Sequence, residues 1–201
     1  MEITTRQASV TDRDALIEAF GAASADEVVT AWVLEGQQDA GVRTAFVPGL
    51  IDRALRDDEI WVAGAGEEIW SISIWQHVTS VQRFADEAAE TRTMADQSPG
   101  MRVLERVSLL TDLLAREHPR EFPHRYLQVI VTVPEHRGKG AGAAILAERL
   151  KAASEASVPA FLEASTERSA RLYSRSGFAP TGTTHTLPEN GPTLIPMWFR
   201  P

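Results

Sequence analysis

The segment from Arg137 to Gly142 combines three glycines with two cationic side chains. It follows an apolar, β-branched run at 126–133 and precedes an alanine-rich run at 141–156. Glycine permits positive φ and lets another molecule approach the backbone closely. Successive N–H groups at the start of a helix bind phosphate, with help from the helix dipole. The pattern therefore predicts a phosphate-binding loop between a strand and a helix, and a simple tight turn is the alternative.

Two familiar phosphate-binding patterns match this segment only in part. A P-loop requires Ser or Thr directly after its lysine, whereas Lys139 is followed by Gly140. The dinucleotide pattern nearly fits, because Gly138, Gly140 and Ala143 have its spacing and Glu163 stands where its acidic residue would be expected. However, only the segment 164–201 follows Glu163, which is too short for the rest of a doubly wound sheet. A dinucleotide enzyme is therefore a minor alternative.

A second motif supports a third interpretation of the loop. Residues 172–178 read Leu-Tyr-Ser-Arg-Ser-Gly-Phe, and they lie beyond the predicted helix and the next short strand. The pattern Arg137-x-x-Gly140-x-Gly142 after a valine-rich strand resembles the acetyl-CoA loop of the GCN5-related N-acetyltransferase (GNAT) superfamily. The later segment resembles the Leu-Tyr-x-x-x-Gly-Phe motif of the same superfamily. Because both occur in the expected order, with a helix and a strand between them, together they indicate a GNAT protein.

The resemblance implies a fold and an activity. The implied GNAT fold is α/β (α+β), with a central mixed, mostly antiparallel sheet of about six to seven strands, flanked by helices and splayed where acetyl-CoA binds. Residues 158–165, a helical insertion between about 80 and 118, and the segment 187–192 resemble the puromycin N-acetyltransferase branch. The implied reaction is direct transfer of acetyl from acetyl-CoA to a primary amine of a small molecule, such as an aminonucleoside antibiotic to which the enzyme would confer resistance. The alternatives are peptide, protein or polyamine acetylation, and non-catalytic binding of acetyl-CoA.

The same resemblance implies roles for individual residues. Tyr173 matches the general acid that protonates the departing thiolate. Its ordinary pKa near 10 keeps the hydroxyl protonated at neutral pH. The donor to the thioester carbonyl would be the backbone N–H of Val133 or Val131. Thr166 stands where many members carry an Asn that contacts the pantetheine arm. The full set implied to bind acetyl-CoA comprises Val131, Thr132, Val133, Arg137, Gly138, Lys139, Gly140, Ala141, Gly142, Thr166 and Tyr173.

The acceptor side is less defined by the sequence. The strand at 126–133 contains no acid or histidine, so Glu163 is the best candidate for a general base, with a strand-end salt bridge as its alternative role. A lysine-like amine would cost about 4.6 kcal/mol to deprotonate at pH 7, and an α-amino group only about 1 kcal/mol. The lack of an obvious strong base therefore favours a low-pKa amine. Trp75, His77 and Tyr126 are candidates to line the acceptor pocket, with core or surface positions as the alternative.

Composition excludes several other classes of protein. The 201 residues carry a net charge of −8, which divides into −11 over residues 1–100 and +3 over residues 101–201. The acidic first half argues against a nucleic-acid surface, which needs clustered Lys and Arg. There is no cysteine, so a thiolate metal site or a covalent acetyl-cysteine is excluded. The five histidines lack metal-binding spacing, and no metal is expected.

The sequence also gives an expectation about location. The chain contains no apolar stretch that is long enough to cross a membrane as a helix. Its first residues lack the basic segment and apolar run of a secretory signal. These features predict a soluble, cytoplasmic protein without a membrane contact.

Hydrophobic periodicity predicts the elements that must position these residues. A single acetyltransferase domain is expected over 1–201, with the acceptor side mainly in 1–125 and the acetyl-CoA core in 126–201. A homodimer is consistent with the family. Strands are predicted at 2–7, 60–63, 69–75, 126–133, 160–163, from 178 onward, and at 193–199. Helices are predicted from Thr11 to about 23, and at 28–34, 50–56, 80–98, 103–114, 141–156 and 169–176.

Overall fold

A computed structural model describes residues 2–35 and 40–201 of the chain, with the backbone alone described for 40–45. In these residues the strands are β1 (Thr4–Gln7), β2 (Glu59–Ala65), β3 (Glu68–Val78), β4 (His124–Thr132), β5 (Ala160–Ala164), β6 (Ala179–Pro180), β7 (His185–Thr186) and β8 (Thr193–Phe199). The helices are α1 (Arg13–Ser24), α2 (Val28–Leu34), α3 (Ala40–Asp57), α4 (Gln82–Gln97), α5 (Arg102–Glu117), α6 (Ala141–Glu155) and α7 (Glu167–Arg175).

Helix α3 is the element that the sequence predicted least well. It was expected to run from about Leu50 to Arg56, but it begins at Ala40 and contains Pro48. The buried side chains of Ile51 and Ala54 pack in the same cluster as α1, and this apolar face supports the helix across the proline. Tertiary packing has therefore outweighed a local propensity.

The strands form one mixed sheet in the order β1-β2-β3-β4-β5-β8-β6, with β7 paired to β8. Every pairing in it is antiparallel except that of β4 with β5, which is parallel. This confirms the expected mixed, mostly antiparallel sheet flanked by helices. The described residues contain eight strands, whereas six to seven were expected. The count is higher because it includes two very short strands, β6 and β7, of two residues each. In that part of the chain, no helix is long and apolar enough to cross a membrane.

The two parallel strands separate soon after they begin. β4 and β5 are paired only at Arg125 with Ala160 and at Tyr126 with Phe161. On its other side, β4 stays paired with β3 as far as Thr132, across a bulge at Gln128. The backbone groups of β4 that face β5 therefore have no strand partner beyond Tyr126. The sheet is open between these strands, as the family resemblance implied.

Helices cover both faces of the sheet around this opening. On one face, α6 contributes Leu146 and Leu150 to a cluster that includes Trp75 and Leu127. On the opposite face, α1 and α3 pack against Ile72 and Ile74 of β3, among other residues. Because side chains alternate along a strand, consecutive residues of β4 and β5 serve opposite faces. The opening is thus held between two separately packed layers.

Candidate active site

The loop after β4 places unpaired N–H groups at the start of a long helix. Gly138 and Gly140 have φ values of 77° and 94°, which glycine adopts without strain. Helix α6 then begins at Ala141, and its first N–H groups have no acceptor within the helix. A Cβ built on Gly138 would meet no atom within 4 Å, so there is room for a ligand beside the loop. Open space, free N–H donors and a helix N-terminus fit the diphosphate of acetyl-CoA.

Gly142 has a different role from the other two glycines. A Cβ at this position would lie 3.5 Å from the hydroxyl oxygens of Ser71 and Thr132 and 3.7 Å from Ile130. These distances are ordinary van der Waals contacts. Gly142 therefore lies where α6 packs onto the sheet, and the positive-φ turn depends on Gly138 and Gly140.

The sequence suggested that the charge of Arg137 would be free to attract a phosphate. The structure shows instead that this side chain is paired. Its two terminal nitrogens each donate to Asp26 at 2.6 Å, and its Nε donates to the Thr132 carbonyl at 3.1 Å. This bidentate pair balances the charge that was expected to attract the diphosphate. Arg137 instead joins the end of β4 to the junction between α1 and α2, and the backbone N–H groups are the donors that the loop offers.

Lys139 lies in an aromatic cluster beside the loop. Its Nζ is 3.3 Å from His136 Nδ1 and 5.3 Å from the centre of the Trp70 ring. The His136 ring stacks on Trp70 with centroids 4.5 Å apart, and Glu68 accepts from both rings. Sequence reasoning missed this cluster, because it joins the β2–β3 hairpin to a loop that follows much later in the sequence.

The backbone donors expected for the thioester carbonyl were assigned to the wrong residues. The N–H of Val133 donates to the Trp70 carbonyl at 2.9 Å and is therefore occupied. In an antiparallel ladder, alternate residues direct their N–H groups toward the same neighbour, so Val131 also faces β3. By the same alternation, the N–H groups of Ile130 and Thr132 point toward the opening. These two residues replace Val131 and Val133 as candidate donors.

Tyr173 lies on α7 and packs against the same core cluster as Ile130 of β4. It is half-buried, and its ring packs edge-on against Phe178 with centroids 6.0 Å apart. Burial, with a smaller contribution from the carboxylate of Glu27, raises the pKa of Tyr173 well above its usual value. Its hydroxyl is therefore protonated throughout the neutral range. Thr166 is not free to contact a pantetheine arm as expected, because its hydroxyl caps α7 by accepting from the Ser169 N–H at 3.0 Å.

Glu163 and Tyr126 lie together on the other face of the sheet from Tyr173. Tyr126 pairs with Phe161, and Glu163 follows two residues later on the same side of β5. Burial raises the pKa of Glu163 to about 7, and the Tyr126 hydroxyl partly opposes that rise. Among the described residues, no cationic side chain contributes to the shifted pKa of Glu163. A carboxyl that titrates near neutrality in an enclosed position has the properties of a general base.

The three predicted acceptor residues lie in different environments. Trp75 is 2% exposed, packs in the α6-facing core, and its indole N–H donates to Ser73 Oγ at 3.0 Å. It is therefore a core residue, and its assignment to the acceptor pocket was wrong. His77 is exposed near the end of β3, opposite Arg125. Tyr126 lies beside another predicted site residue, Glu163.

A family of known sequences covers the elements that form this site. The sequence model described as "Acetyltransferase (GNAT) domain" matches residues 79–200, which include β4, the loop, α6 and α7. The chain belongs to the GNAT acetyltransferase family. It is accordingly an N-acetyltransferase, and its co-substrate is acetyl-CoA.

Solved structures of other GNAT proteins share the whole fold. One is described as histone acetyltransferase HPA2 and related acetyltransferase from Corynebacterium glutamicum. It is 25% identical with a TM-score of 0.72, over 100% of this chain and 97% of that one. A polyamine N-acetyltransferase of Drosophila melanogaster is 15% identical with a TM-score of 0.69, over all of both chains. The PaiA N-acetyltransferase of Thermoplasma acidophilum, solved with coenzyme A, is 13% identical with a TM-score of 0.57, over all of both chains.

Proposed function

We propose that this GNAT enzyme acetylates a primary amine of a small molecule by direct attack within a ternary complex. The observation that supports the proposal is that β4 and β5 separate beyond Tyr126 and Phe161, with Glu163 following on β5 and Tyr173 packed on the α6 face of the sheet. The Glu163 carboxylate can take up a proton near neutral pH, and the Tyr173 hydroxyl stays protonated there. An amine acetyltransferase needs both.

The loop and β4 supply the binding groups. The first N–H groups of α6, at Ala141 and Gly142, together with those of Gly138 and Gly140, bind the diphosphate. The N–H of Ile130, or of Thr132, donates to the acetyl carbonyl oxygen where negative charge develops. One such donor contributes on the order of 3 kcal/mol to catalysis. Bound acetyl-CoA supplies an activated acetyl thioester.

Glu163 removes the proton that the amine loses. As the amine nitrogen forms its bond to the carbonyl carbon, the nitrogen proton passes to the Glu163 carboxylate, directly or through water. A base with a pKa near 7 is half-ionised at neutral pH, and Brønsted behaviour favours such a value. The preference for a low-pKa amine, which rested on the lack of a visible base, is therefore weaker than the sequence suggested.

Tyr173 completes the exchange of protons. When the carbon–sulfur bond breaks, the electron pair stays on sulfur, and the Tyr173 hydroxyl donates its proton to that thiolate. Solvent restores the hydroxyl proton, and Glu163 releases the proton it accepted. The reaction yields an acetamide and free coenzyme A, and no acetyl-enzyme is formed.

The narrower acceptor proposals differ in their basis. An aminonucleoside antibiotic rests on the sequence resemblance of residues 158–165 and 187–192. A polyamine acceptor is supported by the Drosophila neighbour, which is named as a polyamine N-acetyltransferase. A peptide acceptor would need a wider groove than a small amine does. A homodimer stays a prediction, which sedimentation of the purified protein would test.

Calorimetric titration with acetyl-CoA is the first test, with NADH as the control. Binding of acetyl-CoA with a 1:1 stoichiometry, and no binding of NADH, is expected. An amine panel that includes puromycin would then be assayed for release of thiol. Acetyl-CoA binding without turnover of any amine would favour a non-catalytic module, and NADH binding alone would favour a dinucleotide enzyme.

A further inference from the structure

The carboxylate of Glu27 is a feature that the proposed reaction does not use. Glu27 is half-buried at the start of α2, where its Oε2 accepts from the Thr30 N–H at 2.8 Å and the Thr30 hydroxyl at 3.1 Å. These helix-capping contacts leave Oε1 available. Among the described side chains, no Lys, Arg or His forms a salt bridge with Glu27, whereas the adjacent Asp26 is neutralised by Arg137. The α1–α2 junction therefore presents one unbalanced negative charge.

This charge lies next to Asp26, which Arg137 ties to the end of β4 at the edge of the opening. Asp26 is bound by Arg137, and Arg137 is bound to the Thr132 carbonyl at the end of β4, so the junction is fastened beside the opening. Burial raises the pKa of Tyr173, and the nearby carboxylate of Glu27 adds to that rise. The same charge would oppose the negative charge that develops on sulfur during transfer. By itself, Glu27 is therefore unfavourable for the reaction.

A positive charge on the acceptor would reverse this effect. The nitrogen that attacks the thioester must be neutral at that moment, so it cannot supply the charge. A second nitrogen of the same molecule can supply it. Building on the proposed amine acetyltransferase, we propose that Glu27 binds a second, cationic nitrogen of the acceptor and thereby selects diamines, or amines that carry a guanidinium group, over monoamines.

Matched amine pairs and one conservative variant test this proposal. The wild-type enzyme would be assayed with 1,3-diaminopropane, 1,4-diaminobutane and 1,5-diaminopentane, and with the monoamines of the same chain lengths. We expect kcat/KM to favour the diamines by about tenfold or more, since a charge-assisted hydrogen bond contributes at least the 1.4 kcal/mol that tenfold represents. Glu27→Gln keeps an oxygen that can cap Thr30 but removes the charge.

The two roles of Glu27 predict different results for this variant. If Glu27 selects a cation, Glu27→Gln should raise KM for the diamines about tenfold. The ratio of kcat/KM for diamines to kcat/KM for monoamines should then fall close to one. Its kcat with monoamines should stay the same or rise, because the charge that opposes the thiolate is gone. Glu18→Gln, the same change on the exposed surface of α1, should alter neither the KM for diamines nor the kcat with monoamines. Equal losses for both amine classes in Glu27→Gln would show that Glu27 is only a helix cap.

The outcomes separate this inference from the function on which it rests. Wild-type turnover of diamines and monoamines with equal kcat/KM would overturn the role of Glu27 and leave the acetyltransferase proposal standing. Failure to acetylate any amine, despite calorimetric binding of acetyl-CoA, would overturn both.

Discussion

At the scale of single residues, Glu163 and Tyr173 owe their proposed roles to burial. Both are acids whose charged form is disfavoured in an enclosed position, so both pKa values rise. For the carboxyl this produces a base that titrates near pH 7. For the phenol it produces a hydroxyl that stays protonated. Burial thus prepares one residue to accept a proton and the other to donate one.

Replacing Tyr173 with Phe tests the proton donor. The variant keeps the ring that packs against Phe178 and removes the hydroxyl, so the protein should fold normally. We expect kcat to fall by roughly 100-fold or more, which is typical of the loss of a general acid, with little change in the Kd of acetyl-CoA. Steady-state assays and calorimetry on the same preparation would measure both. Unchanged turnover would reassign Tyr173 to packing.

The pH dependence of the reaction tests Glu163. Because the base must be ionised, kcat/KM of the wild-type enzyme should rise with pH through an apparent pKa of about 7. Glu163→Gln should lower kcat/KM and abolish that limb, which pH–rate profiles would show. A limb that persists in Glu163→Gln belongs to another group.

Glu163 should also affect stability in a definite direction. Its pKa is raised on folding, so its contribution to stability is complete below its unfolded value and is lost as pH rises through about 7. We therefore expect Glu163→Gln to be more stable than wild type at pH 8, by roughly 1 to 3 kcal/mol, and to lose this advantage near pH 5. Urea unfolding at the two pH values would measure the difference.

At the scale of elements, the loop between β4 and α6 depends on backbone conformation. Gly140 has φ of 94°, whereas a side chain at Gly142 would meet only ordinary contacts. Gly140→Ala should therefore cost roughly 1–2 kcal/mol of stability and weaken acetyl-CoA binding, because a left-handed conformation strains residues with a Cβ. Gly142→Ala is the matched control and should behave like wild type. Thermal unfolding and calorimetry would compare them, and equal behaviour of the two would refute the role assigned to the turn.

At the scale of the whole molecule, the proposed acetyl-CoA site lies between strands that only the folded sheet brings together. β3 and β4 join the first and second halves of the chain, and the opening beside β4 is created by that pairing and by the departure of β5. The unfolded chain has no such site, so binding must stabilise the folded state.

This linkage gives a prediction for thermal unfolding. At a concentration of 100 times its Kd, acetyl-CoA should add about 2.7 kcal/mol of stability, which corresponds to a Tm increase of roughly 5 to 10 °C for a chain of this size. NADH at the same concentration should leave Tm unchanged. Differential scanning fluorimetry would record both. An increase with NADH and none with acetyl-CoA would contradict the loop assignment.

Local sequence determined much of this architecture. Apolar periodicity and the glycine turn predicted α6, β4 and the loop between them to within two residues, because these depend on neighbouring side chains and backbone preferences. The two motifs at Arg137–Gly142 and 172–178 were sufficient to indicate the family, which the family model confirms. The start of α3 was missed, because its buried face against α1 is formed by residues far apart in the chain.

Only the tertiary structure decided which groups face the opening. Strand register directs the N–H groups of Ile130 and Thr132 toward the opening. The N–H of Val133 instead donates to the Trp70 carbonyl. Arg137 forms a bidentate contact with Asp26, which lies far away in the sequence. Burial makes Trp75 a core residue and raises the pKa of Glu163. Residue type and spacing state what chemistry a chain can carry. The direction of a donor and the pKa of an acid depend on neighbours that folding alone brings together.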